Sequence, residues 1–306
     1  MKNIELFKGV NIIEFSDRFK SDEDCLKYLS LHKWKDGFVC NKCANTSYWK
    51  GPKSKPNCLV CCNCRHVESP TANTLFHKLK FGLRKAFFII FECSTTTKSI
   101  SSTMVANRFN INEKTAWKFM QKIRIVMKSS LKFPMEGKCE VDEFYLGGKE
   151  ESKTGRGAQK KKKAVVIIEK SGEHGIKRAY IKQIENTSSD QIRPLLTAHV
   201  GENAEIKTDK WSAYTKLSKE FKITQEKSKP GVNFKLTHRF IQGLKSWIRG
   251  IHHQVSSKYY QNYLDEYCYR FNRSSSKSTI FQNLLNRMIK AKPIFYTIKY
   301  EFINNT

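Results

Sequence analysis

Two closely spaced pairs of cysteines constrain the fold of this 306-residue chain more than any other feature of its sequence. Cys40 and Cys43 form one C-x2-C pair, Cys61 and Cys64 form the other, and 17 residues separate the pairs. Each pair directs two sulfurs toward one point, so together they supply the four thiolates of a tetrahedral zinc site. The spacing predicts a zinc ribbon over about residues 36–70. Because cysteines fill the whole coordination sphere, the zinc is expected to be structural.

Two other cysteines leave the exact ligand set open. Cys58 lies three residues before Cys61 and forms a competing pair with it, and Cys62 is its direct neighbour. The polar segment RHVES after Cys64 is typical of the strand that closes a ribbon, which favours Cys61 and Cys64 as ligands. Regular spacing of this kind argues against the alternative that the cysteines are buried thiols without a metal.

The chain is strongly basic, with 56 Lys and Arg residues against 28 Asp and Glu and a formal net charge of +28. A charge of this size attracts phosphate polymers and predicts a nucleic-acid partner; a ribosomal-type surface and a simple solubility charge are the alternatives. The longest apolar run, AFFIIF at 86–91, is too short to span a bilayer, and the N-terminus lacks a signal-peptide core. We therefore expect a cytoplasmic protein with reduced cysteines and no membrane partner.

Residues 99–127 predict two helices on either side of the turn FNIN. Asn112 suits the N-cap of the second helix, and apolar residues recur behind it at helical spacing, namely Ala116, Met120, Ile123 and Met127. A basic second helix after a short turn is typical of a helix-turn-helix that enters the DNA major groove, although an ordinary helical hairpin gives the same pattern. The basic residues that we expect to face outward and bind DNA are Lys114, Lys118, Lys122 and Arg124.

From residue 138 the pattern changes to four short strand-like segments, with a helix over residues 188–200 between the third and the fourth. In KCEVDEF the acids alternate with apolar residues, so Glu140 and Asp142 share one face of the first strand. Asp209 follows the fourth strand. If these two strands are neighbours, Asp142 and Asp209 come together, and a divalent cation would relieve the repulsion between their carboxylates. Taken alone, an Asp at a strand end is also a common turn residue.

Other basic residues are candidates for contact with DNA phosphates. The segment KEESKTGRGAQKKKK, residues 149–163, is either a solvated loop or a mobile arm that lies on DNA. The lysines that end this segment are Lys160, Lys161, Lys162 and Lys163. In the helical C-terminal part, the expected phosphate contacts are Arg249, Arg270 and Arg273.

A series of segments in fixed order gives nearly the whole chain a family resemblance. They are DEDC, the W-x-x-G-F-x-C-x-x-C knuckle, TANTLFH, KTAWKFMQKIR, VDEFYLGGK, TDKWSAY, LKSWIRGIHHQVSSKYYQNYLDEYCYRFNR and TIFQNLLNRM. In these segments the chain resembles bacterial insertion-sequence transposases of the IS1595 group, also called ISXO2-like. The resemblance implies an α+β or α/β chain with a zinc ribbon, a helix-turn-helix-like segment, and a ribonuclease-H-like catalytic domain with C-terminal helices.

The resemblance also implies domain boundaries and a catalytic role for particular residues. The expected parts are an N-terminal region over 1–70, a DNA-binding helical segment over 71–135, a catalytic domain over 136–290 and a tail over 291–306. In such enzymes two Asp and a third acid or Asn hold Mg²⁺ for cutting and joining DNA. Asp142 and Asp209 match the first two positions, and Lys245 matches a lysine that would neutralise a phosphate.

The third metal-binding position departs from the family pattern, H-x-x-x-x-N-x-K-x-W, in which Glu sometimes replaces the Asn. His238, Lys245 and Trp247 match, but Gly243 stands where the Asn or Glu is expected. Glycine has no side chain that could bind a metal. Three alternatives follow: a site with two ligands and water, substitution by a neighbour such as Gln242, or an inactive copy.

These observations predict a DDE-type DNA transposase that binds the inverted-repeat ends of its element and cuts and joins DNA with Mg²⁺. Synapsis of two ends implies a homo-oligomer, at least a dimer, working at the bacterial nucleoid. Two alternatives are a protein that kept the fold and binds DNA without cutting, and a zinc-ribbon transcription regulator with an unrelated C-terminal domain.

Overall fold

A computed structural model describes residues 6–96, 98–147, 161–229, 231–252 and 255–295. By its internal contacts the chain divides into two compact units. One unit comprises residues 1–126 together with 276–306, and the other comprises residues 127–275. None of the helices in the described ranges combines the length and hydrophobicity that a bilayer crossing requires. The domain boundaries drawn from the sequence at 70, 135 and 290 remain predictions.

The first unit joins a small zinc-ribbon-like sheet to a set of helices. The helices are α1 Ile12–Arg18, α2 Asp22–Lys33, α3 Leu83–Thr95, α4 Ser102–Phe109, α5 Glu113–Met127 and α10 Lys277–Lys290. The sheet lies between α2 and α3 and consists of three antiparallel strands, β1 Tyr48–Lys50, β2 Leu59–Cys61 and β3 Val67–Glu68. Helix α10, the last helix in the described residues, packs against α2 and α3.

An aromatic core holds the helices of the first unit together. The ring of Phe15 on α1 stacks on that of Phe91 on α3 with centroids 4.2 Å apart, and Phe281 on α10 contacts Phe15 edge-on at 4.9 Å. All three side chains are buried. Buried aromatic residues contribute large apolar areas and prefer such stacked and edge-to-face geometries. The core therefore depends on a helix that is nearly two hundred residues distant in sequence from α3.

The predicted helix pair at 99–127 is confirmed. Helices α4 and α5 flank a short turn, and the side chain of Asn112 accepts a hydrogen bond of 3.0 Å from the backbone N–H of Lys114 at the start of α5. The predicted inner face of α5 is buried as well, with Ala116, Met120, Ile123 and Met127 all at most 2% exposed. One expectation is wrong: Arg124 does not face outward, because only 3% of its surface is exposed.

The second unit is built on a five-stranded sheet. Its strands are β4 Lys138–Leu146, β5 Lys162–Ser171, β6 Gly175–Ile184, β7 Glu205–Thr208 and β8 Ile223–Gln225, in the spatial order β6-β5-β4-β7-β8. Strands β4, β5 and β6 pair antiparallel, whereas β7 is parallel to both β4 and β8. A meander of three strands that continues into two parallel strands beside the first is the ribonuclease-H-like order. This confirms the predicted fold class.

Helices cover both faces of this sheet. Helices α6 Ser189–His199 and α7 Ser212–Leu217 pack on the face that carries Val141, and α8 Lys235–Ile251 and α9 Tyr260–Phe271 pack on the face that carries Phe144. Strand β5, which lies between β6 and β4, is apolar on both sides, with the run from Ala164 to Ile168 fully buried. Such a continuous apolar run is expected for a strand covered by helices on both faces.

A buried ion pair fixes the segment that leads into β4. Glu169 on β5 is 1% exposed, and its carboxylate accepts a hydrogen bond of 2.8 Å from Arg178 on β6. The guanidinium of Arg178 also donates to the carbonyls of Phe133 and Pro134 at 2.8 and 2.9 Å. Burial by itself would raise the pKa of Glu169, but the bonds and charges of Arg178 and Lys177 outweigh it, and the pKa is lowered.

Replacing Glu169 with Gln is expected to lower the free energy of unfolding by about 3 kcal/mol at pH 7, because Arg178 loses its buried partner. The carboxylate has a lowered pKa when folded, so its stabilisation is present above the ordinary value of 4.5 and is lost as pH falls through the folded value. Denaturant titrations at pH 7 and pH 3 should therefore show a difference between variant and wild type that shrinks in acid. Glu185→Gln, at an exposed Glu that directly follows β6, is the matched control; an equal loss in both variants would contradict the prediction.

Candidate functional site

Strand β4 directs two acidic side chains toward helix α8. The hydroxyl of Thr237 on α8 donates a hydrogen bond of 2.6 Å to the carboxylate of Glu140, which is 5% exposed. Two residues further along the same face of β4, Oδ2 of Asp142 lies 3.4 Å from Nε2 of His238. The predicted placement of Glu140 and Asp142 on one face is therefore confirmed.

The second candidate carboxylate follows a neighbouring strand. Strands β4 and β7 are parallel neighbours, and Glu140 pairs with Lys207 in their register. Continued by two residues beyond its last pair, this register would bring position 142 opposite position 209, in the turn that follows β7. The adjacency of the two strands, on which the sequence-based prediction depended, is confirmed. Asp209 lies in the turn after β7, where its Oδ1 accepts a hydrogen bond of 3.1 Å from the backbone N–H of Trp211.

Burial and three acidic side chains together raise the pKa of a buried tyrosine. Tyr214 on α7 is fully buried, and burial raises the pKa of its hydroxyl well above the usual value. The negative charges of Glu143, Asp142 and Asp209 raise it further. Glu143 follows Asp142 in β4 and so lies on the opposite face of the strand. Three carboxylates thus contribute negative charge at one hydroxyl.

Asp142 opens onto a cleft of about 470 Å³ between the ends of β4 and β5 and helix α8. Its lining combines acidic, basic and amide side chains, including Asp142, Lys161, His238, Gln242 and Lys245. The hydrogen bond with Asp142 is the main cause that raises the pKa of His238. Burial is the main cause that lowers the pKa of Lys245, and the positive charges of Arg249 and Lys161 lower it further. In such a cleft the carboxylate can bind a cation, and the lysines can bind an anionic group such as a phosphate.

The structure places Gln242, and not Gly243, at the cleft. A Cβ atom added to Gly243 would lie 2.6 Å from the hydroxyl of Tyr267, so position 243 faces helix α9. The Tyr267 ring is itself held between Phe240 and Trp247, with centroid distances of 5.2 and 5.4 Å. Sequence reasoning had only one signal for this arrangement, namely that Gln242 is the one residue next to Gly243 with an oxygen to offer a metal.

The four predicted zinc ligands come together in the ribbon. The sulfurs of Cys40, Cys43, Cys61 and Cys64 all lie within 4.8 Å of one another, and two of the separations are 3.5 and 3.6 Å. Tetrahedral zinc with Zn–S bonds of 2.3 Å requires sulfurs about 3.8 Å apart, so the cluster has the right size for this ion. The backbone N–H of Cys64 is the main cause that lowers the pKa of Cys61 to about 6. Neither Cys58 nor Cys62 belongs to the cluster.

The remaining basic candidates are distributed over both units. Lys114 is exposed at the start of α5, and Lys118 and Lys122 are half-buried on the same helix. Lys161, Lys162 and Lys163 are half-buried at the start of β5, whereas Lys160 lies outside the described residues. Arg249 is exposed on α8, Arg270 is half-buried on α9, and the guanidinium of Arg273 lies 3.9 Å from the centre of the Tyr269 ring. Their contact with DNA remains a prediction.

Comparison with known proteins gives a family for the second unit. Residues 134–272 match the ISXO2-like transposase domain. Comparison with curated protein sequences gives no significant match.

Two solved structures are similar over part of the chain. One, from the simian T-cell lymphotropic virus intasome in complex with PP2A regulatory subunit B56 gamma, is 12% identical with a TM-score of 0.32 and covers 68% of this chain and 74% of that chain. The other, from a pre-cleavage Mos1 transpososome, is 9% identical with a TM-score of 0.23 and covers 65% of this chain and 76% of that chain. Because both TM-scores are low, these two similarities do not support the fold assignment, which depends on the strand order of the sheet.

Proposed function

Residues 134–272 form an ISXO2-like transposase domain, and from this premise we propose that the protein is a DDE-type DNA transposase. It would bind the inverted-repeat ends of an insertion sequence and catalyse Mg²⁺-dependent cleavage and transfer of DNA strands. The observation that supports this proposal is the parallel pairing of β4 with β7, whose register, continued by two residues, would bring Asp142 opposite Asp209. The domain match also removes the alternative of a regulator with an unrelated C-terminal domain.

The donor atoms around the cleft fit magnesium. At the cleft, Asp142 offers carboxylate oxygens and Gln242 an amide oxygen, and Asp209, which follows the neighbouring strand β7, would add a second carboxylate. Mg²⁺ prefers oxygen ligands, usually one or two carboxylates completed by water and substrate phosphate. When bound, Mg²⁺ would activate the attacking oxygen and stabilise the charge on the leaving oxygen. The carboxylates would hold the cation, and Gln242 would take the third position that Gly243 leaves without a side chain.

The basic residues of the cleft would position the DNA backbone. Lys245 and Lys161 line the cleft beside Asp142, and Arg249 lies one helical turn beyond Lys245. In cleavage, the oxygen of water bonds to phosphorus while the P–O3′ bond breaks, which leaves a 3′-hydroxyl and a 5′-phosphate. In transfer, that 3′-oxygen bonds to a phosphorus of the target DNA and displaces a target 3′-oxygen, which takes up a proton. Both are in-line displacements that depend mainly on positioning and on charge neutralisation.

Recognition of the DNA ends would fall to the first unit. The exposed beginning of α5, with Lys114, is placed as in a helix-turn-helix whose second helix enters the major groove. Lys118, Lys122 and the ribbon would add phosphate contacts in this unit. In the second unit, the lysines up to Lys163 would also contact phosphates, as would Arg270 and Arg273. Arg124 is too buried to contribute directly. Because transposition brings two ends together, the active form would be at least a dimer, at the nucleoid of a bacterial cytoplasm.

Strand cleavage and joining on the DNA that flanks the gene of this protein would test the proposal. Purified zinc-loaded protein, labelled end fragments and a supercoiled target are combined with Mg²⁺ or with EDTA. Nicked and joined products that require both Mg²⁺ and the authentic end sequence are expected. Specific binding of the end fragments without any Mg²⁺-dependent product would instead establish the second candidate, a transposase-derived protein that binds DNA and does not cut. That candidate is favoured by the lack of a carboxylate at positions 242 and 243.

The Gln242→Glu variant is expected to need severalfold less Mg²⁺ for half-maximal cleavage, because a carboxylate attracts the cation more strongly than a neutral amide does. Gly243→Glu should not have this effect, since its side chain would meet Tyr267 and lower the free energy of unfolding by about 1–3 kcal/mol. Mg²⁺ titrations of cleavage and thermal melts of both variants check the pair. A gain in Mg²⁺ affinity from position 243 and none from position 242 would contradict the proposed third ligand.

A further inference from the structure

The turn that carries Asp209 is held by a side chain from the neighbouring strand. Gln225 ends β8, where its backbone pairs with Thr208, the last residue of β7. Its amide Nε2 donates hydrogen bonds to two carbonyls of the turn, that of Asp209 at 3.3 Å and that of Trp211 at 2.9 Å. One side-chain amide therefore connects both ends of the three-residue segment 209–211.

The other end of the same amide is also fixed. Oε1 of Gln225 accepts a hydrogen bond of 3.1 Å from the hydroxyl of Thr215 on α7. The two carbonyls decide which way the amide points, because they only accept hydrogen bonds and so require the NH₂ group to face the turn, and the Thr215 hydroxyl then donates to Oε1. Gln225 and Thr215 thus hold the two donors of the amide toward the backbone of Asp209 and Trp211.

The turn has two more attachments that depend on its shape. Oδ1 of Asp209 accepts a bond of 3.1 Å from the N–H of Trp211, and the indole N–H of Trp211 donates to the carbonyl of Thr187 at 2.9 Å. The orientation of the Asp209 carboxylate is therefore coupled to the position of Trp211, and Gln225 binds the carbonyls of both residues. Without the amide, the carbonyl of Trp211 loses this bond, while that of Asp209 keeps one of 3.0 Å from the hydroxyl of Thr208. The turn is then held less firmly, and the Asp209 carboxylate is oriented less firmly with it.

We propose that Gln225 is a positioning residue that orients the Asp209 carboxylate toward the cation shared with Asp142. The inference rests on the proposed function and adds a residue outside the family's metal-binding positions. A glutamine is required for this role because it supplies two donors. A Glu of the same shape has none and would place a negative charge against two carbonyl oxygens. Partners that orient metal ligands in this way typically contribute ten- to a hundredfold to metal affinity or activity.

The test measures cation binding separately from catalysis. Mn²⁺ is titrated into the zinc-loaded protein without DNA, and binding is followed by electron paramagnetic resonance of the free ion. Gln225→Met, which keeps the length of the side chain and removes its hydrogen bonds, is expected to weaken Mn²⁺ binding about tenfold. Thr215→Val removes only the bond that holds the oxygen end of the amide, and should weaken binding by a smaller factor of about two to five.

Gln183→Met is the matched control, because Gln183 lies on β6 at the opposite edge of the same sheet. It should bind Mn²⁺ as the wild type does. Asp142→Asn gives the reference for a lost ligand. In cleavage assays, excess Mg²⁺ should restore the rate of Gln225→Met and should not restore that of Asp142→Asn.

Two failures can be told apart. If Asp142→Asn weakens Mn²⁺ binding while Gln225→Met and Thr215→Val bind as tightly as the wild type, Gln225 has only a structural role and the inference is overturned alone. If the wild type and Asp142→Asn bind Mn²⁺ equally, no cation site exists at Asp142, and the proposed function falls together with the role of Gln225. A melting temperature lowered in Gln225→Met without a change in Mn²⁺ affinity also counts against the inference.

Discussion

Replacing Asp142 with Asn is expected to lower Mg²⁺-dependent strand cleavage on the order of a thousandfold, because an amide cannot supply the charge that holds the cation and stabilises the transition state. The substitution keeps the shape of the side chain. Its effect on the free energy of unfolding should stay within about 1 kcal/mol, since the contact with His238 is partly exposed to solvent and worth little. Single-turnover cleavage rates and denaturant titrations measure the two effects separately.

Binding of the end fragments provides the comparison that makes this result specific. The ribbon and helix α5 belong to the unit that does not contain Asp142, so Asp142→Asn should bind DNA ends as the wild type does. Asp190→Asn, at a side chain 79% exposed on α6, is the matched control and should cleave normally. A wild-type rate in Asp142→Asn would show that cleavage takes place without this carboxylate, and the assignment of the cleft would be wrong.

The second large effect is expected at the ribbon, where Cys40→Ser should abolish zinc binding and unfold the segment over about residues 36–70. Structural zinc sites contribute about 10–16 kcal/mol of apparent binding free energy, far more than three strands of two or three residues can gain by themselves. Metal analysis should show about one zinc ion per wild-type chain and almost none in the variant. Limited proteolysis should then cut the variant within the ribbon.

Cys62→Ser is the control for Cys40→Ser: it shows whether an effect comes from losing a zinc ligand or from losing any cysteine of this segment. Cys62 directly follows a ligand but stands outside the sulfur cluster, so its variant should retain zinc and resist proteolysis. Loss of zinc from Cys62→Ser, or retention in Cys40→Ser, would contradict the ligand set. Binding of DNA ends by the two variants further shows whether the folded ribbon is needed for recognition.

Sequence periodicity predicted the parts of the fold that depend on local pattern. The C-x2-C pairs fixed the sulfur cluster because its geometry follows from two tight turns, and hydrogen bonds such as that from the N–H of Lys42 to the sulfur of Cys40 occur within one turn. The long apolar run of β5 and the alternation in β4 likewise identified strands. Adjacency of β4 and β7 required the family resemblance in addition, since no local pattern specifies which strands pair.

Features that depend on tertiary contacts were missed. Strand β8 has only three residues, too few to show a period of two. Because the strand was not predicted, the position of Gln225 beside the Asp209 turn was not predicted either. Arg124 is a charged residue, which the sequence alone assigns to the surface, but the packing around α5 buries it. The choice between Gln242 and Gly243 depends on the rotation of α8 about its axis, which is set by the contacts of Phe240 and Trp247 with α9 and not by the sequence of α8 alone.

The return of α10 to the first unit has a consequence for biosynthesis. Residues 127–275 form an uninterrupted stretch and can complete their packing as soon as they leave the ribosome. The helices that precede them must wait, because Phe281 arrives only with α10 and fills the space between Phe15 and Phe87. A nascent chain therefore acquires its nuclease-like half before its aromatic cluster is closed, and ribosomes that stall before α10 would release a polypeptide with those phenylalanines open to chaperones and proteases.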